Sequence, residues 1–276
     1  MCILFIMAIY SENFFAGQCH ASRQSAREIL PIVFELARPG SVIDVGCGVG
    51  PWLAAARELG ARELLGVDGS WVQPSALMIP RECFLAVDLT KPLQVGRTFD
   101  LAMCMEVAEH LPESSAQVLI DSLVSLAPLV LFSAAVPAQG GLHHINEQWP
   151  QYWENLFRSR GYVLIDCIRT QVWNNPRVEP WYAQNCFLFA RGSYLLESPK
   201  LAAAQNSKAE FPLAVVHPTL FFAAATLANV SMGQLIRAFP GVLSKTTANR
   251  TRRLFSVLRG LTRGKDADTR QERDAA

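Results

Sequence analysis

The sequence predicts an α/β protein built on a doubly wound, mostly parallel sheet. Three observations support this fold class: an apolar strand runs into a glycine turn and a helix, strand-like and helical segments then alternate, and several strands end on an acidic residue. The segments with strand character are 42–45, 63–68, 83–87, 99–103, 128–134, 162–168 and 185–191. The segments with helical spacing of apolar residues are 25–36, 52–59, 114–127 and 149–160.

The first strand and the turn after it organise the rest of the chain. Residues 42–45 are apolar apart from Asp44, as expected of a central parallel strand that helices cover on both faces. The turn 46–50 carries a glycine at every second position, which lets the backbone bend sharply and approach a ligand because no Cβ intervenes. Pro51 suits the first turn of the following helix, where its missing N–H costs nothing. We therefore expect a ligand against this turn.

The spacing of these glycines distinguishes two classes of cofactor. A dinucleotide fingerprint requires the pattern Gly-x-Gly-x-x-Gly, whereas here the third glycine, Gly50, comes one residue early and Pro51 follows it. The tighter Gly-x-Gly-x-Gly turn, with Asp44 two residues upstream, resembles the first motif of class I S-adenosylmethionine-dependent methyltransferases. That family has a Rossmann-like, seven-stranded sheet whose seventh strand is antiparallel, and the resemblance implies the same topology for this chain.

Acidic residues end the next two strands. Asp68 ends the second strand, where a carboxylate can accept hydrogen bonds from both ribose hydroxyls of a cofactor or can cap a turn. Because it follows the glycine turn, we favour the ribose role, with Gly69 beside it; a nicotinamide cofactor would use the same acid. Asp88 ends the third strand, and the resemblance implies that it accepts a hydrogen bond from the adenine amino group while Val87 and Leu89 hold the ring.

The fourth strand continues into the phrase Glu-x-x-Glu-His-Leu-Pro at residues 106–112. This motif resembles the corresponding one of small-molecule O-methyltransferases related to the ubiquinone-biosynthesis enzymes. The resemblance implies that the backbone near Met105 lies along the methionine end of the cofactor. His110 follows Glu106 by four residues, so a helix starting there would place both on one face, to orient a general base, to bind a cation, or to order the loop. The cofactor-binding residues implied by these resemblances are Asp44, Gly46, Cys47, Gly48, Gly50, Asp68, Gly69, Asp88, Leu89, Met105 and Glu106.

A polar loop with a glycine hinge, residues 137–150, follows the fifth strand. Loops at this edge of the sheet cover the acceptor, so the imidazoles of His143 and His144 are candidates for acceptor binding or proton removal, or else they order the loop. Adjacent histidines point in different directions and their spacing is not that of a metal site, so we predict no metal ion. For the general base we rank His144 first and His110 second, with His143 as a further candidate.

The sequence of residues 140–153 resembles that of bacterial methyltransferase-domain proteins often placed with glycan biosynthesis. Its motif is Gly-Gly-x-His-His-x-Asn-Glu-Gln-Trp-Pro-x-Tyr-Trp. This resemblance implies methyl transfer from S-adenosylmethionine to a hydroxyl of a sugar or another small molecule. One alternative is an NAD(P)-dependent sugar oxidoreductase or epimerase. The glycine spacing and the lack of a Tyr-x-x-x-Lys pair are evidence against it. The other is a non-catalytic module with a cofactor fold that docks to a glycan assembly complex.

The composition is that of an ordinary globular protein. Hydrophobic residues make up 50% and charged residues 18% of the chain, and the formal net charge of +1 gives no indication of a nucleic-acid partner. The seven cysteines are scattered without a Cys-x-x-Cys pair. They indicate neither a disulfide framework nor a zinc site, and they suit a reduced cytoplasm.

We predict three parts: an N-terminal segment (1–20), a methyltransferase domain (21–192) and a C-terminal extension (193–276). Residues 1–10 lack both the basic start of a signal peptide and the length of a membrane span, and we interpret Met7 as the true start. Residues 245–265 hold seven basic residues and no acidic one, with apolar residues at helical spacing. The pattern predicts a basic amphipathic helix, which can contact a membrane surface or nucleic acid, or pack as a solvated tail helix on its own domain or a partner protein. Residues 264–276 are predicted to be disordered.

Overall fold

The computed structural model of the chain describes residues 12–207 and 212–225. These residues belong, up to position 224, to one compact unit. The apolar start at 1–10 and the basic helix at 245–265 lie outside the described residues, so those interpretations stay predictions, as do the domain limits. Among the helices of the described part, none is long and apolar enough to cross a membrane.

The seven predicted strands form a single sheet in the order β3-β2-β1-β4-β5-β7-β6. The strands are β1 (Ser41–Val45), β2 (Glu63–Asp68), β3 (Phe84–Ala86), β4 (Leu101–Met105), β5 (Leu129–Ser133), β6 (Tyr162–Ile165) and β7 (Phe187–Arg191). The pairs from β3 through β5 are parallel, whereas β7 runs antiparallel to both β5 and β6. The predicted doubly wound sheet with an antiparallel seventh strand is therefore confirmed.

Helices cover both faces of this sheet. The helices of the described residues are α1 (Glu12–Ala37), α2 (Pro51–Glu58), α3 (Ala116–Leu126), α4 (Pro150–Arg158), α5 (Arg169–Val172), α6 (Pro180–Asn185), α7 (Gly192–Leu196), α8 (Pro199–Asn206) and α9 (Pro218–Ala225). The last of these, α9, has no buried residue and is not part of the cover. The sequence showed no convincing helix between β6 and β7, whereas the structure has two short ones there. The two helices there, α5 and α6, have only four and six residues, too few turns for a helical period to appear in the sequence.

Most strands have limits that differ by one to three residues from those predicted, β7 for example beginning at Phe187, and the differences at β4 and β6 have identifiable causes. β4 begins at Leu101 because the amide of Phe99 instead donates a hydrogen bond to the carbonyl of Leu126, 2.8 Å away. β6 ends at Ile165, after which the buried guanidinium of Arg169 pairs with the carboxylate of Asp166. Arg169 also donates to the carbonyls of residues 212 and 213, which tie that segment to the end of β6.

The apolar core forms one layer on each side of the sheet. On the first face, α1, α2 and α8 pack against the strands, and the fully buried Leu201 shows that the chain still contributes to this layer after β7. On the second face, α3 and α4 provide the cover. Because β1, β2 and β4 are parallel, their carboxyl ends meet at one edge, which is where the predicted site residues lie.

Candidate functional site

The glycine turn after β1 has a backbone that favours glycine at three positions. The φ angles of Gly46, Gly48 and Gly50 are +83°, +54° and +87°, a left-handed region that costs other residues about 1 kcal/mol or more. A Cβ on Gly46 would lie 2.3 Å from the side chain of Val107, so the segment after β4 packs directly on the turn. A Cβ on Gly48 would meet nothing within 4 Å. Gly48 is therefore the part of the turn that a ligand can approach.

Asp68 connects the end of β2 to this turn. One of its carboxylate oxygens accepts a hydrogen bond from the amide of Gly48 at 2.7 Å, and the other accepts from the amide of Gly69 at 2.6 Å. Burial raises the pKa of Asp68, and the two amides oppose that rise. A carboxylate offers about four acceptor positions, so each oxygen keeps one for a ribose hydroxyl. The two roles considered for Asp68, ordering the turn and binding ribose, are compatible.

Asp44 is almost completely buried, with 1% of its surface exposed, and its Oδ2 atom has no hydrogen-bond partner. Burial and then the charge of Asp68 raise the pKa of Asp44 to about 8. Such an atom beside the turn suits a donor or cationic group of a ligand. The Cys47 side chain, by contrast, packs beneath β2, with its Sγ only 2.7 Å from where a Cβ on Gly66 would be. The structure leaves Cys47 only its backbone to offer a cofactor.

The acid after β3 is exposed and already engaged. Asp88 Oδ1 accepts hydrogen bonds from the amide and hydroxyl of Thr90 at 3.0 and 2.6 Å, and these hold the pKa of Asp88 below its ordinary value. The structure therefore places Asp88 in a turn, and its adenine contact stays a prediction. Leu89 is partly buried and packs against the core of the second face.

Sequence reasoning missed Trp71, which lies beside this part of the edge. A Cβ on Gly69 would be 2.0 Å from the Trp71 ring, so the indole lies directly over that glycine, and 47% of its surface remains exposed. The sequence does contain a pattern that could have identified Trp71, because this aromatic residue comes three positions after the acid that ends β2.

The end of β4 holds a strained acid. Met105 is buried as the last residue of the strand, and the next residue, Glu106, has a φ of +54°. The Glu106 carboxylate accepts hydrogen bonds from the amides of Gln139 at 3.0 Å and Asn185 at 3.2 Å, and burial raises its pKa. A non-glycine residue in this conformation costs about 1–3 kcal/mol and persists only when its surroundings fix it.

Side-chain amides around Glu106 form a network that sequence reasoning missed. Asn185 donates to the Gln139 carbonyl oxygen at 2.9 Å, and Gln184 donates to Asn185 at 2.8 Å. The Gln184 oxygen in turn accepts from the backbone amide of His217 at 2.6 Å. These residues come from a loop and the short helix α6, so no spacing in the sequence marks them. Together they fix the direction in which Glu106 points.

Hydrogen bonds to the Glu147 side chain order the loop between β5 and α4. Its carboxylate accepts hydrogen bonds from the amides of Ala138 and Gly140, each at 2.8 Å, and lies 3.0 Å from Nδ1 of His144. Both side chains are mostly buried, with 12% of His144 and 18% of Glu147 exposed. With Nδ1 directed at a carboxylate, Nε2 of His144 keeps its lone pair for a proton or a metal ion.

The contacts of the histidines differ from those predicted. Residues 108–110 form a short 3-10 turn rather than a longer helix, and the Glu106 carboxylate points to the amide network, so the Glu106 and His110 pair is not formed. Instead, Glu109, His110 and His144 place one ligand atom each within 4.8 Å of one another. His143, with a φ of +60°, contributes no atom to this cluster.

The electrostatics of this cluster follow from its burial. Glu109 is completely buried, and burial together with the Glu106 charge raises its pKa well above the ordinary value, against smaller opposing effects of the Glu109 and Ala135 amides. Partial loss of solvent around its ring and then the neighbouring His144 ring, 4.8 Å away between centroids, lower the pKa of His110 to about 4, although the residue as a whole remains exposed. This shift favours the neutral form of His110.

A separate cavity of about 340 Å³ lies between α1, residues 166–171 and α8. It contains none of the residues predicted to bind a cofactor or an acceptor. Its lining gives no reason to move the candidate site away from the carboxyl edge of the sheet.

Comparison with known proteins gives one family and a set of similar folds. Residues 18–162 match the family model described as a methyltransferase domain. A search of curated proteins finds no match. Among solved structures, DesVI of Streptomyces venezuelae is 12% identical, covers 65% of this chain and 95% of that one, and has a TM-score of 0.51.

Two further structures are similar at lower TM-scores. The methyltransferase domain of bacterial CtHen1-C is 20% identical over 61% of this chain and 98% of its own, with a TM-score of 0.47. Magnesium protoporphyrin IX methyltransferase from Synechocystis PCC 6803, solved with bound SAM, is 21% identical over 61% of this chain and 78% of its own, with a TM-score of 0.43. The similarity to DesVI supports the fold, and the family match extends across β1 to β5.

Proposed function

We propose that this chain, which belongs to the methyltransferase-domain family of class I S-adenosylmethionine-dependent enzymes, methylates a hydroxyl of a sugar or another small molecule. The arrangement of Asp68 around the open Gly48 is the observation that best supports it. Bound S-adenosylmethionine supplies a methyl group already activated by the positive sulfonium. The protein then has to bind the cofactor, align the acceptor and accommodate the hydroxyl proton.

The residues at the carboxyl edge fit this cofactor. Asp68 retains acceptor positions for the ribose hydroxyls, and the unpartnered Oδ2 of Asp44 suits a cationic donor such as the ammonium of a methionine moiety. Trp71 offers an exposed aromatic face beside Gly69, and Leu89 an apolar one beyond Asp88, both suited to a base. The contacts of Asp88 and Leu89 with adenine belong to the proposal.

The proton of the acceptor hydroxyl requires a base. Nε2 of His144 is suited to this role because Glu147 holds the opposite ring nitrogen, which fixes the tautomer and would stabilise the charged imidazole. His110 lies against His144 and is the second candidate. His143 lies outside the cluster and ranks third.

Calorimetry tests the cofactor assignment. We expect S-adenosylmethionine and S-adenosylhomocysteine to bind one per chain and NAD⁺ not to bind. NAD⁺ binding alone would favour an oxidoreductase, and binding of none of the three would favour a non-catalytic module.

A glycine variant tests where the cofactor binds. Gly48→Ala would place a methyl group where the cofactor approaches, so we expect at least tenfold weaker binding of S-adenosylhomocysteine. Gly161→Ala is the matched control, because Gly161 also has a positive φ, +77°, and open surroundings, but lies after α4. Equal affinity of the two variants would contradict the placement.

The cellular setting is also part of the proposal. The scattered cysteines suit the cytoplasm, and the six that lie in the described residues are all free thiols. The basic segment 245–265 is proposed as a contact with a membrane surface or partner protein. Charge gives no reason to propose a nucleic-acid partner.

A further inference from the structure

We propose that Glu109, His110 and His144 bind a divalent first-row transition-metal ion at the edge of the sheet, beside the glycine turn. The sequence alone led us to expect no metal, because it offers no recognisable ligand spacing. The three ligand atoms come together only through folding, within 4.8 Å of one another. Their chemistry, two imidazole nitrogens and one carboxylate oxygen, is a donor set typical of zinc and non-haem iron.

Glu109 is the observation that distinguishes this cluster from a chance grouping. Its side chain is completely buried, and neither carboxylate oxygen has a properly formed hydrogen bond. A buried carboxylate without partners is costly unless a cation accompanies it. The nearest acid, Glu106, adds to that cost, whereas the two imidazoles supply nitrogen ligands next to it.

The surroundings of His144 are those of a metal ligand. A ligating histidine usually donates its other ring N–H to a carboxylate, which fixes the ring and its tautomer. Glu147 occupies that position at 3.0 Å from Nδ1, leaving Nε2 to bind the ion. Gly141 makes room for the ring, since a Cβ there would lie 2.2 Å from Nε2.

The backbone also holds the two halves of the cluster together. The carbonyl oxygen of Glu109 accepts hydrogen bonds from the amides of Ile145 and Asn146 at 2.9 and 3.0 Å. The turn that carries Glu109 and His110 is thus fixed against the loop that carries His144. Ligands of a tetrahedral ion with bonds of about 2.0–2.1 Å lie roughly 3.3 Å apart. The ligand atoms, now within 4.8 Å of one another, therefore have to approach by up to about 1.5 Å when an ion binds.

A metal ion changes the role of His144. Its Nε2 would then bind the ion rather than a proton, and a site with three protein ligands leaves a position for an oxygen of the acceptor. This consequence for the acceptor rests on the proposed function, whereas metal binding does not depend on it.

Metal binding is tested on the full chain after treatment with a chelator. Co²⁺ is titrated and followed by visible absorption, Zn²⁺ is titrated against a chromophoric chelator, and S-adenosylhomocysteine binding is measured on the same preparation. We expect one ion per chain with a micromolar or lower Kd, and at least tenfold weaker binding of Mg²⁺. A wild-type chain that binds S-adenosylhomocysteine but neither ion overturns the metal site alone, and equal Mg²⁺ affinity overturns the choice of a transition metal.

Two variants assign the ligands. Loss of a partner outside the ligand shell already weakens metal binding by about 10–100-fold, so Glu109→Gln should weaken Co²⁺ binding at least 100-fold. Without metal, this variant should melt at the same or a higher temperature than the wild type, because glutamine has the same shape and cannot ionise in the buried position. His143→Asn is the matched control, since asparagine tolerates the positive φ, and its Co²⁺ affinity should stay within threefold of the wild type. Wild-type affinity in Glu109→Gln, or lost affinity in His143→Asn, overturns the assignment.

Discussion

Replacing Asp68 by alanine removes the side chain that both orders the glycine turn and faces the proposed ribose position. Its two oxygens accept hydrogen bonds from the amides of Gly48 and Gly69 at 2.7 and 2.6 Å. Hydrogen bonds to a charged group contribute about 1.5–3 kcal/mol each, and part of this contribution offsets the cost of burying the carboxylate. We therefore expect the free energy of unfolding to fall by about 2–4 kcal/mol.

The effect of Asp68→Ala on cofactor binding follows from the same geometry. If the ribose hydroxyls bind the remaining acceptor positions, at least one charged hydrogen bond is lost, which corresponds to about 1.5 kcal/mol or more and at least tenfold weaker binding. Calorimetric titration with S-adenosylhomocysteine, at a temperature where urea unfolding shows the variant to be folded, gives this ratio directly.

A matched control separates binding from stability. Asp100 likewise accepts hydrogen bonds from two backbone amides, those of Gly40 and Ser41, at 2.9 and 2.8 Å. It precedes β4, at the opposite edge of the sheet. Asp100→Ala should therefore destabilise the fold while keeping S-adenosylhomocysteine affinity within twofold. Unchanged affinity in Asp68→Ala, or the same loss in both variants, would refute the ribose assignment.

Two further predictions concern buried polar groups. Burial and then Asp68 raise the pKa of Asp44 to about 8, so the folded state keeps a proton that the unfolded state loses near pH 4. The free energy of unfolding should fall between these pH values by up to about 1.4 kcal/mol per pH unit, and Asp44→Asn should flatten this fall in urea titrations at pH 5 and 8; parallel pH profiles would contradict it. Asn185→Ala removes hydrogen bonds to Glu106 and Gln139, so we expect a loss of about 1–3 kcal/mol and faster hydrogen exchange in the loop 137–149, and unchanged exchange there would argue against the network.

The fold could be predicted because its signals are local. Apolar runs bounded by glycine and acidic residues mark each strand, and a glycine at every second position marks the turn after β1. The short helices α5 and α6 give no such signal, because one or two turns cannot establish a helical period. The start of β4 depends on a hydrogen bond between Phe99 and Leu126, distant in sequence, which no local pattern encodes.

The candidate site was predictable only in part, for a related reason. The glycine turn, Asp44 and Asp68 belong to consecutive strands of a known plan, so their order along the chain places them at one edge. The cluster of Glu109, His110 and His144 joins a turn after β4 to a loop after β5, and its geometry depends on backbone pairing between the two. The spacing of Glu106 and His110 suggested a shared helical face, but the short 3-10 turn separates them.

A crystal structure with bound S-adenosylhomocysteine tests the assignment of the cofactor site most directly. We expect its ribose hydroxyls within hydrogen-bond distance of the Asp68 carboxylate and its body against Gly48. Density for the ligand elsewhere in the molecule, with this edge of the sheet left to solvent, would contradict the assignment and the proposed methyl transfer with it.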